Sequence, residues 1–168
     1  MKILYRDRWV TIEERHATVR GKKVEFQRWV ERNVVTVLPI LEDGRILMER
    51  QFRHAIGRYL YEIPAGLVEK GESTISAARR ELGEETGYVA KEMKFMFKIY
   101  HSPAVGSRTF YHFYAKKLRP GKRKLDNSEI ITLMKVKPSK LESMIKSNQI
   151  MDHKTVESYL YYKTFIAK

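Results

Sequence analysis

Glu81, Glu84 and Glu85 fall within five residues of one another, in a 168-residue chain whose 33 lysines and arginines outnumber its 20 aspartates and glutamates, for a formal charge of +13. The segment from Ser73 to Glu85 has helical composition. In a helix advancing roughly 100° per residue, Glu81 and Glu85 project about 40° apart, with Glu84 about 60° to the other side of Glu81. All three therefore share a face. Like charges so spaced destabilise a helix by about 0.2 to 0.5 kcal/mol per pair unless something positive sits among them. Solvation beside Arg79 and Arg80 is the ordinary fate of an acidic helix. A divalent metal is the sharper alternative. The chain has no cysteine, so oxygen donors point to a hard cation such as Mg2+ or Mn2+, and zinc fits this cluster poorly.

The pattern extends beyond the cluster. Gly66, Glu72, Arg80-Glu81-Leu82, Glu84-Glu85 and Gly87-Tyr88 stand in the order and spacing of a long signature, and the segment resembles that of the Nudix hydrolases. It departs from the family at Tyr88, where an aliphatic residue is usual. The resemblance implies that Glu81 and Glu85 bind the metal, that Glu84 assists, and that Arg80 pairs with Glu72 to brace the loop against the helix. Gly66 would let the backbone approach closely, and the carbonyl of Ala65 is a further implied ligand.

Three features outside the signature resemble the ADP-ribose pyrophosphatase branch of that family. Pro103, in "HSPAVG", follows Gly87 at the branch's spacing, although Ala104 and Val105 precede the glycine that usually comes next. The run "ERQFRHAIGRYLYEIPAG" supplies Arg53 for the substrate's phosphates and Glu62 as a metal or water contact. Glu129, in "LDNSEIITLMKV", matches the loop glutamate that acts on the attacking water. In such enzymes an N-terminal ribbon dimerises and places aromatic rings against the adenine, which makes Phe26 and Trp29 candidates here.

The implied reaction is Mg2+-dependent hydrolysis of ADP-ribose to AMP and ribose 5-phosphate. Another nucleotide sugar or a dinucleotide is the nearest alternative substrate. The charge of +13 and "KKLRPGKRK" raise a remoter one, an RNA-binding module on the same fold. The intact glutamates argue against lost catalysis, and no RNP-like aromatic motif accompanies the basic residues. A nucleic-acid partner is not expected.

The elements that must position these residues read as α+β: strands, one helix, more strands, then helices. The resemblance refines this to an α/β/α sandwich with a mixed sheet. Residues 1–32 read as a β-ribbon around "RGKK", part of the same unit as the hydrolase domain, 33–168. Asp43-Gly44 between "VVTVLPIL" and "RILMERQF" predicts a hairpin of central strands. Pro138 and Ser139 open one helix, and Asp152 caps another whose Val156, Leu160 and Ile166 are expected to face the core. No apolar run approaches membrane-spanning length, and the absence of cysteine fits a reducing cytoplasm.

Overall fold

The computed structural model describes residues 1–167. In chain order the strands are β1 (Lys2–Arg6), β2 (Val10–Val19), β3 (Lys22–Glu31), β4 (Val34–Pro39), β5 (Ile46–Arg53), β6 (Arg58–Glu62) and β7 (Ala65–Leu67). Helix α1 (Thr74–Thr86) follows, then β8 (Tyr88–Tyr100), β9 (Thr109–Pro120), β10 (Ile131–Val136), α2 (Pro138–Lys146) and α3 (His153–Phe165). Among the described residues no helix is long and apolar enough to cross a membrane.

The ribbon turns at Arg20 and Gly21, whose φ angles of 50° and 76° suit a two-residue turn between twisted strands. It pairs β2 with β3 from Val10↔Glu31 to Val19↔Lys22. β1 adds a third strand that the sequence did not announce. All five of its residues are exposed, so it carries no alternation to read.

Gly44 turns as expected, with φ 78°, but the hairpin stops there. One bridge, Ile40↔Ile46, joins its arms. The two strands then enter different sheets, β4 the order β7-β4-β9-β8 and β5 the order β10-β5-β6. Each is central in its own sheet. The separation follows from burial: all six residues of β4 are buried, and such a strand is satisfied between β7 and the parallel partner β9, not beside β5.

The four-stranded sheet is mixed, since β4 and β9 run parallel while its other pairs run antiparallel. On one face Val35, Val37, Phe113 and Ala115 pack with Ala77, Ala78 and Leu82 of α1. On the other, Leu38 and Tyr114 pack with Leu141 and Met144 of α2 and Tyr159 and Tyr162 of α3. Strand alternation thus gives the α/β/α sandwich. On α3 the expected stripe is corrected in part. Val156 and Ile166 pack against the core, but Leu160 is 45% exposed. The buried positions are Thr155, Ser158, Tyr159 and Tyr162, a face whose polar members are held by hydrogen bonds rather than by apolar contact.

Candidate active site

Helix α1 is fixed at both ends. Ser73 Oγ accepts from the Ser76 amide at 3.2 Å, and Gly87, at φ 73°, donates its amide to the Gly83 carbonyl. The basic loop after β9 then closes over the C-terminus. Gly121 N donates to Gly87 O, Lys124 N to Glu84 O at 3.0 Å, and Arg123 Nε to Glu85 O at 2.5 Å. Carbonyls with no helical partner are thereby satisfied, and positive charge meets the negative end of the helix dipole. The same loop carries Glu129 to the cleft that α1 lines.

Arg53, Ala65, Glu81, Glu84, Glu85 and Glu129 border one cleft of about 700 Å3. Arg80 organises its acidic wall. Its Nε and Nη2 donate to the two oxygens of Glu72 at 3.1 and 3.0 Å, and Nη2 also donates to the Leu67 carbonyl at 2.9 Å. Nη1 reaches Glu81 at 2.7 Å and Glu84 at 3.0 Å. The loop from Leu67 to Glu72 is thereby tied to the helix through one guanidinium.

Glu81 lies directly against Gly66, where an added Cβ would sit 2.1 Å from its carboxylate; a side chain there would displace the glutamate. Glu85 accepts from the Ala65 amide at 2.8 Å. Burial lifts the Glu81 carboxyl to about 7, although Arg80 pulls the other way. Burial, then the charges of Glu49 and Glu81, lift Glu85 well above its ordinary value. Glu49, on β5, is pushed by burial to about 8; Arg123 opposes this, while Glu62 and Glu129 add to it. Oxygen donors crowded together without matching countercharge are what a hard divalent cation neutralises, so these residues fit one.

Glu62 does not border the cleft. Its oxygens accept from Arg53 Nε at 2.7 Å, Arg53 Nη2 at 2.5 Å and Lys154 Nζ at 3.1 Å. Burial works to raise this carboxyl, but the Arg53 and Lys154 bonds and charges outweigh it and leave it below the ordinary value. Glu62 thus braces Arg53, aiming the guanidinium that does face the cleft.

Pro103, Phe26 and Trp29 also lie outside this chain's cleft. Trp29 and the Pro103 loop instead meet each other, Trp29 N donating to Val105 O at 2.7 Å and Ser107 N to Trp29 O at 3.0 Å. The ribbon's ring at the cleft is Trp9. Asp7 Oδ1 accepts from the amides of Trp9 and Val10 at 2.7 and 2.8 Å, turning the chain so that Trp9 lies between Arg8 and Arg32, 4.7 and 5.8 Å from its ring. The same lining includes Phe52 and His54, edge to face at 5.1 Å.

Sequence reasoning missed Trp9, Arg32 and Glu49. Period two along β5 would have flagged the last, because Glu49, Gln51 and Arg53 share a face that a surface strand would give to solvent and a buried one to a site.

Comparison with known proteins bears on family and fold. The description NUDIX domain matches residues 30–156. An ADP-ribose pyrophosphatase of Bacillus subtilis (strain 168) is 37% identical over 129 residues, 76% of this chain and 70% of that protein. A methanol dehydrogenase activator of Bacillus methanolicus is 33% identical over the same shares. The crystal structure of an ADP compounds hydrolase superposes with a TM-score of 0.87 at 22% identity, covering 98% of this chain and 90% of that one, which is agreement in fold. With its signature helix, its sandwich and a family match spanning most of its length, the chain belongs to the NUDIX family of hydrolases.

Proposed function

We propose that this protein hydrolyses the diphosphate of ADP-ribose to AMP and ribose 5-phosphate, with Mg2+, or Mn2+ in its place, held by Glu81, Glu85 and the Ala65 carbonyl. The observation that carries the reading is the meeting, in one cleft, of a buried Glu85 that no cation pairs, beside Glu81, with a braced arginine and an aromatic rim. A nucleoside diphosphate sugar offers a partner to each. The name of the Bacillus subtilis relative supports the choice of sugar nucleotide.

When bound, the divalent ion supplies charge neutralisation on the diphosphate and a more acidic water. Arg53, held in plane by Glu62, presents its outer face to the phosphate oxygens, the fork geometry that suits bidentate recognition. Arg80 and Glu72 keep the loop and helix in register while Glu84 completes the acidic wall. Glu129 accepts the proton of the attacking water. In the structure its carboxylate accepts from the Asp126 amide at 2.8 Å, which leaves its second oxygen for that task. Trp9 and Phe52 flank the base.

The working unit of this proposal is a cytoplasmic homodimer. The ribbon exposes Ile3, Leu4, Tyr5, Val24, Phe26 and Trp29, more apolar surface than a three-stranded sheet leaves bare without a partner. A second copy packed there would cover it and leave Phe26, Trp29 and Pro103 to serve the neighbouring cleft. Light scattering checks the mass, and a fully active monomer removes this part of the proposal.

Product analysis with Mg2+ tests the reaction itself. ADP-ribose, ADP-glucose, GDP-mannose, NADH and a diadenosine polyphosphate are compared, and ADP-ribose is expected to turn over fastest, with EDTA abolishing the rate. Faster turnover of another substrate overturns the assignment. Turnover that survives EDTA overturns the role of the metal.

A further inference from the structure

Four side chains of alternating charge run from the amino end of α3 to the cleft: Asp152, Lys154, Glu62 and Arg53. Lys154 Nζ donates to Asp152 Oδ1 and, at 3.1 Å, to Glu62 Oε2. Glu62 in turn accepts from Arg53 Nε at 2.7 Å and from Nη2 at 2.5 Å. The Glu62 side chain is 1% exposed and that of Lys154 12%, against 37% for Arg53. Of the four, Arg53 alone borders the cleft. Lys154 is therefore out of reach of a ligand bound there, and any effect it has on the reaction passes through Glu62.

The far end of the row is anchored in backbone. Asp152 caps α3, its Oδ2 accepting from the Thr155 amide at 3.0 Å and from the Thr155 hydroxyl at 2.6 Å. The same hydroxyl oxygen accepts from the amide of Ile63 at 3.0 Å. Ile63 directly follows Glu62. The start of α3 thus grips the end of β6 twice, once at the Ile63 backbone and once at the Glu62 side chain, through residues 92 apart in sequence.

Such a grip matters most for the exposed member. Ion pairs open to solvent are weak, and a carboxylate held by one arginine alone would follow that arginine when a phosphate pulls on it. Here Lys154 shares Glu62 Oε2 with Arg53, and Asp152 holds Lys154. A guanidinium fixed in this way has less rotamer freedom to lose when a ligand binds. Taking Arg53 as the diphosphate's ligand in the reaction above, we propose that Lys154 is a positioning residue for substrate binding: acting through Glu62, it holds the Arg53 fork in the orientation that receives the phosphates. The C-terminal helix is then part of the binding machinery as well as of the core. A row that only stabilised the fold would lower the melting temperature and leave ligand affinity alone.

A double-mutant cycle separates these two roles. The parent, Lys154→Met, Lys154→Arg, Arg53→Gln and the double variant of Lys154→Met with Arg53→Gln are compared by KM for ADP-ribose and by calorimetric titration with ADP in saturating Mg2+. Circular dichroism sets a temperature at which each is folded. Lys154→Met is expected to raise KM and weaken ADP binding roughly 3- to 10-fold, the range for immobilising one rotamer-rich side chain. Its kcat and Mg2+ affinity should stay nearly unchanged, because the binding lost is common to ground and transition states. Lys154→Arg should restore KM and ADP affinity. In the Arg53→Gln background Lys154→Met should add nothing. An equal loss in both backgrounds overturns the proposal, as does a lowered melting temperature with KM and ADP affinity unchanged. If Lys154→Met does not fold, Lys154→Gln, which keeps a donor without the charge, takes its place under the same criteria. ADP also distinguishes failure here from failure of the reaction. A parent that ignores ADP-ribose but binds ADP in a manner sensitive to Arg53 and Lys154 loses its substrate and keeps this role for Lys154. ADP affinity indifferent to Arg53→Gln removes the ligand through which Lys154 acts, and overturns the proposal.

Discussion

Glu85, in the cleft wall, and Glu62, behind Arg53, are both buried, yet they end in opposite electrostatic states. Glu62 is met by Arg53 and Lys154, and its carboxyl is held below the ordinary value. Glu85 receives one backbone amide, has Glu49 and Glu81 for neighbours, and is pushed well above that value. The same side chain is a structural brace where the chain supplies its own cations and a receptor where it withholds them. A net charge of +13 makes the withholding informative. Arg80 bonds Glu72, the Leu67 carbonyl, Glu81 and Glu84, but it does not reach Glu85.

If the contrast is correct, Glu85→Gln should lower kcat/KM on the order of 10³-fold and weaken Mg2+ binding, while leaving the metal-free protein at least as stable as the parent at pH 8. A fall in metal-free melting temperature would break the contrast by showing that Glu85 is structural. Glu129→Gln should sharpen it. Because Glu129 is not deeply buried, kcat should drop roughly 10²-fold, as for loss of a general base, with Mg2+ affinity by calorimetry nearly unchanged.

Glu62→Gln is the reverse experiment. Removing one partner of a buried ion pair costs about 3 to 5 kcal/mol, and the lower end applies here because Arg53 is 37% exposed. Urea unfolding should show a loss of about 3 kcal/mol, with Mg2+ affinity retained; unchanged stability would mean that the pair is not a brace.

A pH slope of opposite sign is expected on the two sides of the comparison. Glu81 and Glu49 have folded values of about 7 and about 8 against an ordinary 4.5. Between those limits the native chain keeps protons that the unfolded chain has released. Stability of the metal-free protein should therefore decline as pH rises from about 5 to about 8, by at most about 1.4 kcal/mol per unit for each proton. Saturating Mg2+ should flatten the slope. Glu62, with its folded value depressed, contributes stability that disappears as pH falls below the ordinary carboxylate range. A metal-free protein that melts at one temperature across pH 5 to 8 would contradict the crowding of Glu49, Glu81 and Glu85.

Helix α1 was legible because its information is local: Ser73 and Gly87 mark its ends, and the glutamates lie within one turn of each other. Arg80 and Glu72 were legible as members of a spaced signature. Glu49 was not, because its burial is created by Glu62 opposite it on β6 and Leu133 opposite it on β10, partners remote in sequence. The divergence of β4 from β5 was hidden for the same reason. The turn at Gly44 is encoded in four residues, whereas the choice of sheet is decided by β9. Phe26 and Trp29 lie in a strand, where the residue pattern draws attention to aromatic rings, whereas Trp9 is positioned by an aspartate two residues earlier and carries no such pattern.

The parallel pairing of β4 with β9 also sets a timetable for the nascent chain. Thr36 and His112, opposite each other in that pair, are 76 residues apart. At about 5 to 20 residues per second, a ribosome needs roughly 4 to 15 s to make the second strand after the first. During that interval the apolar run Val34 to Leu38 has no central partner, although the helix carrying the glutamates has already been made. Pausing translation between Gly87 and Phe110 should lengthen this exposure and increase capture of the growing chain by chaperones, whereas a pause after Pro120 should not.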